Sequence, residues 1–172
     1  MAEIIPEWAL TPADEAQIAG LLARSFDTDF GGRSFFQTRQ HLRLVHREGP
    51  ILAHMAVQFR AMRLGDRLIT VAGLGDVATD PAARGRGLAG ALLAEAIALA
   101  KASPAEFFLL FGDRPLYAAA GFRPMRNTIL WCEMRGAVTG QIMREPAESL
   151  MVLPLKGSWD ETAQLDLLGN LF

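Results

Sequence analysis

The chain contains one cysteine, no metal-ligand pattern and no long apolar run among its 172 residues. Cys132 cannot form an internal disulfide, which is typical of a reducing compartment, and its apolar surroundings predict a packed thiol rather than a nucleophile. No cluster of His, Cys and Asp has metal-ligand spacing, so we expect no metal. No segment approaches about 18 uninterrupted apolar residues, so we expect no membrane span. The first residues lack a basic stretch before an apolar block, so we expect no signal peptide and a cytoplasmic protein.

An excess of one charge is also absent, because 17 Lys and Arg residues stand against 19 Asp and Glu residues. This balance gives no reason to expect nucleic acid as a partner. With 51% hydrophobic residues, no linker and no internal repeat, the chain fits one globular domain over residues 1–172. The sequence leaves the choice between a monomer and a homodimer open.

The first half of the chain predicts a helix followed by an antiparallel meander. Thr11 has the character of an N-cap, with Pro12 at the first helical position and acids in the first turn, and the helix is expected to end near Arg24. Gly and Pro turn signals separate the strands. The expected elements are a short helix from Arg33 to about Leu42 and strands over Leu42–His46, Ile51–Met62 and Arg67–Thr79.

The second half predicts a buried strand and a short helix, followed by more strands. The continuous apolar run Glu106–Phe111 is typical of a buried, parallel strand. A short helix over Leu116–Ala120 would end at Gly121. Strands are expected over Phe122–Met134 and Leu150–Leu155, and one or two helical turns in the tail from Ser158 to Phe172.

The turn Asp80–Gly87 joins a predicted strand to an Ala- and Leu-rich helix over Leu88–Lys101. The N–H groups of the first helical turn and the positive end of the helix dipole favour an anion there. Gly85 and Gly87 let the backbone approach a ligand, and Arg84 and Arg86 can add charge-assisted contacts. The turn lacks the Gly-Lys-Ser/Thr ending of a nucleotide-hydrolysing loop, so we expect a pyrophosphate without a metal.

Two motifs resemble those of the GNAT superfamily of acyl-CoA-dependent N-acyltransferases. Arg84-Gly-Arg-Gly-Leu-Ala89 is similar to its Arg/Gln-x-x-Gly-x-Gly/Ala signature, and Tyr117-Ala-Ala-Ala-Gly-Phe122 is similar to its Tyr-x-x-x-Gly-Phe signature. The resemblance implies an α/β (α+β) fold: a mixed, mostly antiparallel central sheet with a β-loop-α-β acyl-CoA-binding core and flanking helices.

The same resemblance implies acetyl-CoA (coenzyme A) as the cofactor. The strand before the turn would pair its backbone with the pantetheine arm, as an added strand does, and the turn would hold the pyrophosphate. The implied cofactor residues are Val77, Ala78, Thr79, Arg84, Gly85, Arg86, Gly87, Leu88 and Ala89.

A looser likeness covers nearly the whole chain. Stretches at Ser25–Phe30, Ile51–His54 and Met151–Leu155, and the closing Gly169-Asn-Leu-Phe172, look like parts of the aminoglycoside 2′-N-acetyltransferases. The framework is also similar to the nodulation acyltransferases that N-acylate chitooligosaccharides.

Direct acyl transfer needs a base for the amine and a proton for the departing thiolate. The resemblance implies Tyr117 as the acid, and the alternative is a core aromatic residue. Gly75 stands where the aminoglycoside enzymes carry a glutamate, so that role cannot be transferred. Asp76 is the remaining candidate, but a regular strand would point it to the other face. A β-bulge could turn it into the site; otherwise it bonds backbone or solvent.

Three residues are candidate substrate contacts. Asp29 matches an acid that contacts the cationic substrate in the aminoglycoside enzymes, or else it caps the adjacent Gly-Gly turn. His54 could act as a base or contact, or else be a half-buried histidine with satisfied nitrogens. Phe172 could reach the site with its carboxylate, or else be a docked tail. A further wall of the acceptor pocket could come from Phe30, Phe35 and Phe36, or these could be core.

The resulting hypothesis is an acyl-CoA-dependent N-acyltransferase that moves acetyl to a primary amine of a small molecule by direct attack. The absence of a plausible Cys or Ser nucleophile agrees with direct attack. Two alternatives remain: a non-catalytic acyl-CoA-binding or regulatory module, and a long-chain N-acyltransferase acting on an amino sugar or lipid.

Overall fold

A computed structural model describes residues 2–172 of the chain. Two compact units are present, one comprising the residues up to Gln58 with Gly75–Ile97 and the other Phe59–Leu74 with Ala98–Phe172. Among residues 2–172, no helix is long and apolar enough to cross a membrane.

Three helices and ten strands are assigned within residues 2–172. The helices are α1 (Pro12–Ser25), α2 (Leu88–Ala102) and α3 (Pro115–Ala119), with 3-10 turns at Glu7–Ala9 and Pro81–Ala83. The strands are β1 (Ala2–Pro6), β2 (Leu42–Arg47), β3 (Ile51–Leu64), β4 (Arg67–Thr79), β5 (Phe107–Phe111), β6 (Arg123–Pro124), β7 (Thr128–Arg135), β8 (Val138–Pro146), β9 (Leu150–Pro154) and β10 (Leu165–Asp166).

The strands form a mixed sheet in which antiparallel pairing predominates. In the first unit β1 pairs with β2, and β2 pairs with β3, both antiparallel. In the second unit the order is β6-β9-β5-β4-β3-β10-β7-β8. Within that order β5 runs parallel to β4, with Val71 opposite Phe107, and β10 runs parallel to β7. The predicted fold class is confirmed.

Helix α1 begins as its sequence predicts. The Thr11 Oγ1 accepts from the Asp14 N–H at 3.2 Å, and the Asp14 carboxylate accepts from the Thr11 N–H at 3.1 Å. This reciprocal capping box satisfies two of the N–H groups left without helical partners. The helix buries Ile18, Leu21 and Leu22 in the apolar cluster of the first unit.

The short helix expected from Arg33 to Leu42 does not form. Arginine side chains bind two backbone carbonyls of this segment. The Arg33 guanidinium donates to the Phe36 carbonyl at 3.0 Å, and the Arg43 guanidinium donates to the Ser34 carbonyl at 2.8 Å. Side-chain hydrogen bonds to the backbone therefore override the local helical preference, and the segment consists of turns, bends and irregular residues before β2 begins at Leu42.

The C-terminal part differs from the prediction in three places. The tail after Ser158 has bends and β10 instead of helical turns, because the Asp160 carboxylate accepts from the Thr162 and Ala163 N–H groups in a local turn. The single strand expected over 122–134 is split into β6 and β7. Strand β8 was not predicted, since its exposed, mostly polar residues give a weak pattern.

Asn127 and Trp159 fix the tail in the second unit. The Trp159 indole N–H donates to the Asn127 Oδ1 at 2.9 Å, and its ring stands edge-on to Phe107 with 5.0 Å between centroids. The Asn127 amide in turn donates to the Asp160 and Ala163 carbonyls, both at 2.8 Å. One buried amide thus holds the start of the tail against the core.

The last ring of the chain packs directly on the backbone of β4. A Cβ built on Gly73 would lie 2.7 Å from Cε2 of Phe172, so this strand position accepts the ring only as glycine. The Arg60 guanidinium lies 5.7 Å from the Phe172 ring centroid and donates to the Asn170 and Leu167 carbonyls at 2.7 and 2.8 Å. The end of the tail is therefore held by Arg60, and its last ring fits because Gly73 has no side chain.

We expect Gly73→Ala to lower the free energy of unfolding by about 1–3 kcal/mol, because its methyl group would overlap the Phe172 ring. Urea unfolding of the single and double variants measures this, and the effect should largely vanish in a Phe172→Ala background. Gly20→Ala in α1 is the matched control and should stabilise by up to about 1 kcal/mol through helix propensity. Equal destabilisation in both backgrounds would contradict the contact.

Candidate active site

The segment between β4 and α2 has the geometry of an anion cradle. Gly85 and Gly87 adopt φ values of 79° and 75°, which side-chain-bearing residues rarely adopt. The first helical bond of α2 runs from the Ala91 N–H to the Gly87 carbonyl at 3.1 Å. The N–H groups of the preceding helical residues therefore have no acceptor in their own helix. The residues predicted to bind cofactor, from Val77 to Ala89, lie in this strand, turn and first helical turn; their use by a cofactor stays a prediction.

The arginines of the turn are exposed, and one of them already has a carboxylate partner. The Arg86 Nη2 lies 2.6 Å from the Glu48 Oε1, with both side chains about half exposed. Glu48 also contacts the His46 Nε2 at 3.1 Å, and the hydrogen bond from Arg86, followed by that from His46, lowers the pKa of Glu48. An anion that approaches the turn thus competes with Glu48 for Arg86.

Strand β4 departs from regular strand geometry at Asp76, and we name this departure the bulge. Its φ is 50°, the left-handed region that non-glycine residues seldom enter. A positive φ inside a strand is the kind of irregularity that the β-bulge alternative requires, and the turning of Asp76 into the site stays a prediction. The Asp76 side chain is 12% exposed, and its Oδ2 accepts from the Gln40 amide at 3.3 Å. Burial raises the pKa of Asp76 to about 6, although Arg43 and Gln40 both oppose the rise.

His54 lies fully buried behind this bulge. Its Nδ1 lies 2.8 Å from the Asp76 carbonyl oxygen, and its Nε2 lies 3.4 Å from the Arg43 Nη1. Burial, and secondarily the Arg43 charge, lowers the pKa of His54 to about 3, so the ring is neutral. The imidazole is completely enclosed, and both of its nitrogens face protein groups. A contact of His54 with the acceptor stays a prediction.

Arg43 is the central charge of this network and has no exposed surface. Its Nε and Nη2 donate to the two carboxylate oxygens of Glu7 at 2.8 and 3.2 Å. The third nitrogen, Nη1, donates to the Ser34 carbonyl at 2.8 Å and lies 3.8 Å from the Asp76 Oδ2. A bidentate pair of this kind compensates the desolvation of a buried guanidinium.

Sequence reasoning missed Arg43, Glu7 and Gln40. One signal was available: Arg43 lies two positions before Val45 in β2, and Val45 lies opposite His54 across β2 and β3. Side chains two positions apart on one strand share a face, so the register brings Arg43 and His54 together diagonally. Glu7 and Gln40 lie in turns, where no periodic pattern indicates a partner.

Tyr117, in the second unit, lies in α3 and is 6% exposed. A Cβ built on Gly112 would lie 3.1 Å from its Cε2, and the Phe122 ring stands 6.3 Å away. Burial raises the pKa of its phenol, with a smaller opposing effect of Arg114 and a reinforcing one of Asp113. The side chain therefore holds its proton at neutral pH.

Two other predicted substrate residues have local roles in the structure. The exposed Asp29 accepts from the Gly31 N–H at 2.6 Å, which caps the Gly-Gly turn. Phe172 packs against Gly73, with its ring 5.6 Å from that of Phe111. Their contacts with an acceptor stay predictions.

A cleft of about 420 Å³ opens beside α1 in the first unit. Phe35 belongs to its wall, whereas Phe30 and Phe36 are packed in the apolar cluster of that unit. Two guanidinium groups lie over the Phe35 ring, that of Arg39 4.7 Å and that of Arg33 5.6 Å from its centroid. The cleft is lined by Pro12, Glu15, Ala16, Gly32, Arg33, Ser34, Phe35 and Arg39.

The sequence pattern of the acetyltransferase (GNAT) domain matches residues 9–125, about two thirds of the chain. The chain therefore belongs to the GNAT family, as its two motifs predicted, and is a GNAT-type N-acetyltransferase. No curated protein sequence matches it.

Several solved structures share the fold. A GNAT family acetyltransferase from Brucella melitensis, crystallised with acetyl-CoA, is 20% identical with a TM-score of 0.59, covering 96% of this chain and 94% of its own. The Escherichia coli N-acetyltransferase YhbS, in complex with CoA, is 22% identical with a TM-score of 0.62, covering 96% and 89%. The E. coli ribosomal-protein-S18-alanine N-acetyltransferase is 20% identical with a TM-score of 0.59, covering 93% and 97%.

We compare the free energy of unfolding of Asp76→Asn with that of the unmodified protein. The difference should favour the variant by about 2 kcal/mol more at pH 7.5 than at pH 4.5. The pKa of Asp76 rises from 3.8 to about 6 on folding, so its ionisation costs stability as the pH rises through this interval. Asparagine does not ionise and escapes that cost. Urea unfolding of both proteins at the two pH values measures the difference, and a pH-independent effect would contradict the burial of an ionisable carboxyl.

Proposed function

We propose that the protein is an acetyl-CoA-dependent N-acetyltransferase that acylates a primary amine of a small molecule by direct attack. The observation that carries the proposal is the sequence of features along one segment. Asp76, a carboxyl-bearing residue with a left-handed backbone, is followed within a few residues by the end of β4, the glycine turn and the start of α2. Family membership and the CoA-bound relatives support the same reaction.

In this proposal the turn holds the pyrophosphate of acetyl-CoA. The N–H groups at the start of α2, with the positive end of its dipole, face the anion, and Arg84 and Arg86 add charge. The backbone from Val77 to Thr79 pairs with the pantetheine arm, in the manner of an added strand. A backbone N–H near Ala78 stabilises the negative oxygen of the tetrahedral intermediate.

Asp76 is the proposed base. With a pKa of about 6 it is mainly ionised at neutral pH, yet basic enough to take a proton from an ammonium group. The freed amine nitrogen attacks the thioester carbonyl carbon, a C–N bond forms, and the C–S bond then breaks. The aminoglycoside enzymes carry a glutamate at the position that matches Gly75, and in this proposal Asp76 supplies a carboxyl from the neighbouring position.

Tyr117 is the proposed acid. The raised pKa of its buried phenol keeps the proton available for the CoA thiolate as it departs. The proton that remains on the amide nitrogen of the collapsing intermediate then returns to the phenolate, so the tyrosine ends each turnover unchanged. The role is transferred from the family motif, because the position matches its tyrosine.

The acceptor is proposed to be a small amine rather than a polycation. We take the cleft beside α1 as the acceptor pocket, because Phe35 belongs to its wall. Among the described residues that line it, Glu15 is the one carboxylate; Arg39 pairs with it at 2.7 Å, and Arg33 also lines the cleft. Such a wall does not attract several positive charges. The resemblance to the aminoglycoside and nodulation enzymes supports an amino group as the position that is acylated, not an aminoglycoside as the acceptor. Asp29 and Phe172 remain the proposed acceptor contacts.

The lone free thiol of Cys132 supports a cytoplasmic enzyme.

Isothermal titration tests the cofactor assignment. Acetyl-CoA should bind with micromolar affinity, and Arg84→Ala with Arg86→Ala should weaken it by about 30- to 1000-fold through lost charge-assisted contacts. Glu48→Gln is the matched control and should instead tighten binding, since it frees Arg86. No acetyl-CoA binding would overturn the proposal. Tighter binding of palmitoyl-CoA would redirect it to long-chain transfer to an amino sugar or lipid.

Turnover tests the chemistry. CoA release is followed with a thiol reagent while amino sugars, amino acids, polyamines and arylalkylamines are offered in turn. With the best amine, Asp76→Asn and Tyr117→Phe should each lower kcat by about 10²-fold and leave acetyl-CoA affinity unchanged. The rate should fall below about pH 6 as Asp76 is protonated. Binding without turnover of any amine would favour the non-catalytic module.

A further inference from the structure

We propose that His54 is a positioning residue for Asp76: its Nδ1–H holds the carbonyl of the bulge, and Arg43, clamped by Glu7, fixes the tautomer that this bond requires. The inference rests on the proposed function, because it concerns the carboxyl assigned there as the base. It adds a chain of three hydrogen-bonded side chains, His54, Arg43 and Glu7, that supports Asp76 without contacting the substrate.

The hydrogen bond to the bulge determines the tautomer of His54. A carbonyl oxygen only accepts, so the 2.8 Å contact with the Asp76 oxygen requires the proton on Nδ1. A neutral imidazole then presents a lone pair at Nε2. That lone pair faces the Arg43 Nη1 at 3.4 Å, and a guanidinium only donates. The two neighbours thus demand the same tautomer.

Arg43 is held in place independently of His54. Glu7 accepts from its Nε and Nη2, and the Ser34 carbonyl accepts from its Nη1. Glu7 is itself held by a second guanidinium, because the Arg39 Nη1 lies 3.1 Å from its Oε1. Since Arg43 has no exposed surface, the guanidinium has little freedom to leave the imidazole.

The bulge needs such a restraint. Asp76 lies in the left-handed region inside a strand, a conformation that persists only where its surroundings determine it. The carboxyl accepts a hydrogen bond of 3.3 Å from Gln40 and lies beyond hydrogen-bonding distance of Arg43 at 3.8 Å. The shorter bond of this residue is the one from His54 to its backbone. Loss of that bond would let the strand return towards regular alternation and turn the carboxyl away.

The tautomer of His54 can be measured in the unmodified protein. Long-range 1H–15N NMR correlations of histidine rings distinguish Nδ1–H from Nε2–H, and His41→Gln and His46→Gln variants assign the three rings. We expect a neutral Nδ1–H ring for His54 from pH 5 to pH 8. An Nε2–H ring, or an imidazolium at pH 6, would overturn the proposal. This measurement requires no variant at His54 to fold.

Two substitutions of His54 separate positioning from packing. Asparagine places an amide N–H near the position of Nδ1, whereas leucine has similar bulk and no donor. Asp76 is followed by 13C NMR of its carboxyl as the pH is varied, with Arg43, His54, Gln40 and Glu7 as the polar and charged groups that face it. The titration midpoint should stay near 6 in His54→Asn and fall by about one unit or more in His54→Leu, as the carboxyl gains solvent.

The same variants give a kinetic readout. His54→Leu should lower kcat about tenfold or more with the KM for acetyl-CoA changed less than about threefold, and His54→Asn should restore most of the rate. Leu22→Ala, in the apolar cluster of the same unit, is the control: it lowers the melting temperature without shifting the Asp76 midpoint. Equal loss in both His54 variants, or an unchanged midpoint in His54→Leu, would overturn positioning through Nδ1.

Failure of the inference is distinguishable from failure of the proposed function. If the unmodified protein acetylates no amine, the proposed function fails, but the tautomer and the Asp76 midpoint still decide whether His54 positions this carboxyl. If turnover occurs and His54→Leu behaves like the unmodified protein, only the inference fails.

Discussion

The first unit depends on the pairing of Arg43 with Glu7. A guanidinium with no exposed surface is tolerable only when its donors are satisfied, and here five contacts are made to Glu7, Ser34, His54 and Asp76. The need to satisfy this charge explains why residues 33–40 bend instead of forming a helix, since one of their carbonyls is committed to it. It also sets the electrostatic surroundings in which the Asp76 carboxyl titrates.

The parts of the fold that the sequence predicted are those with local causes. Thr11 and Pro12 define the start of α1, and the turn signals place the boundaries of β2, β3 and β4 to within two residues. The errors lie where side-chain hydrogen bonds hold the backbone: Arg43 binds a carbonyl of the segment after Gly32, and Asp160 and Asn127 bind groups of the tail after Ser158. Propensity is a weak prior wherever such contacts compete.

The candidate site shows the same division. Glycines at positive φ before a helix could be predicted, because only the local conformation decides them. The bulge could be raised only as an alternative, and the enclosure of His54 could not be predicted, since burial depends on β2 as well as β3. A carboxyl kept in a strained and dehydrated position costs stability, and functional sites commonly carry that cost.

The ion pair between Glu48 and Arg86 gives the glycine turn a built-in competitor. Any phosphate that binds there displaces a tethered carboxylate as well as mobile ions, so association is an exchange reaction. At Arg86 the phosphate replaces a carboxylate that already neutralises the guanidinium. The charge on that arginine is therefore neutralised to a smaller extent by the phosphate than the charge on an unpaired arginine is. A phosphate contact with Arg86 should consequently depend less steeply on ionic strength than a phosphate contact with Arg84. For Arg84, no such carboxylate partner is among the ion pairs found within residues 2–172.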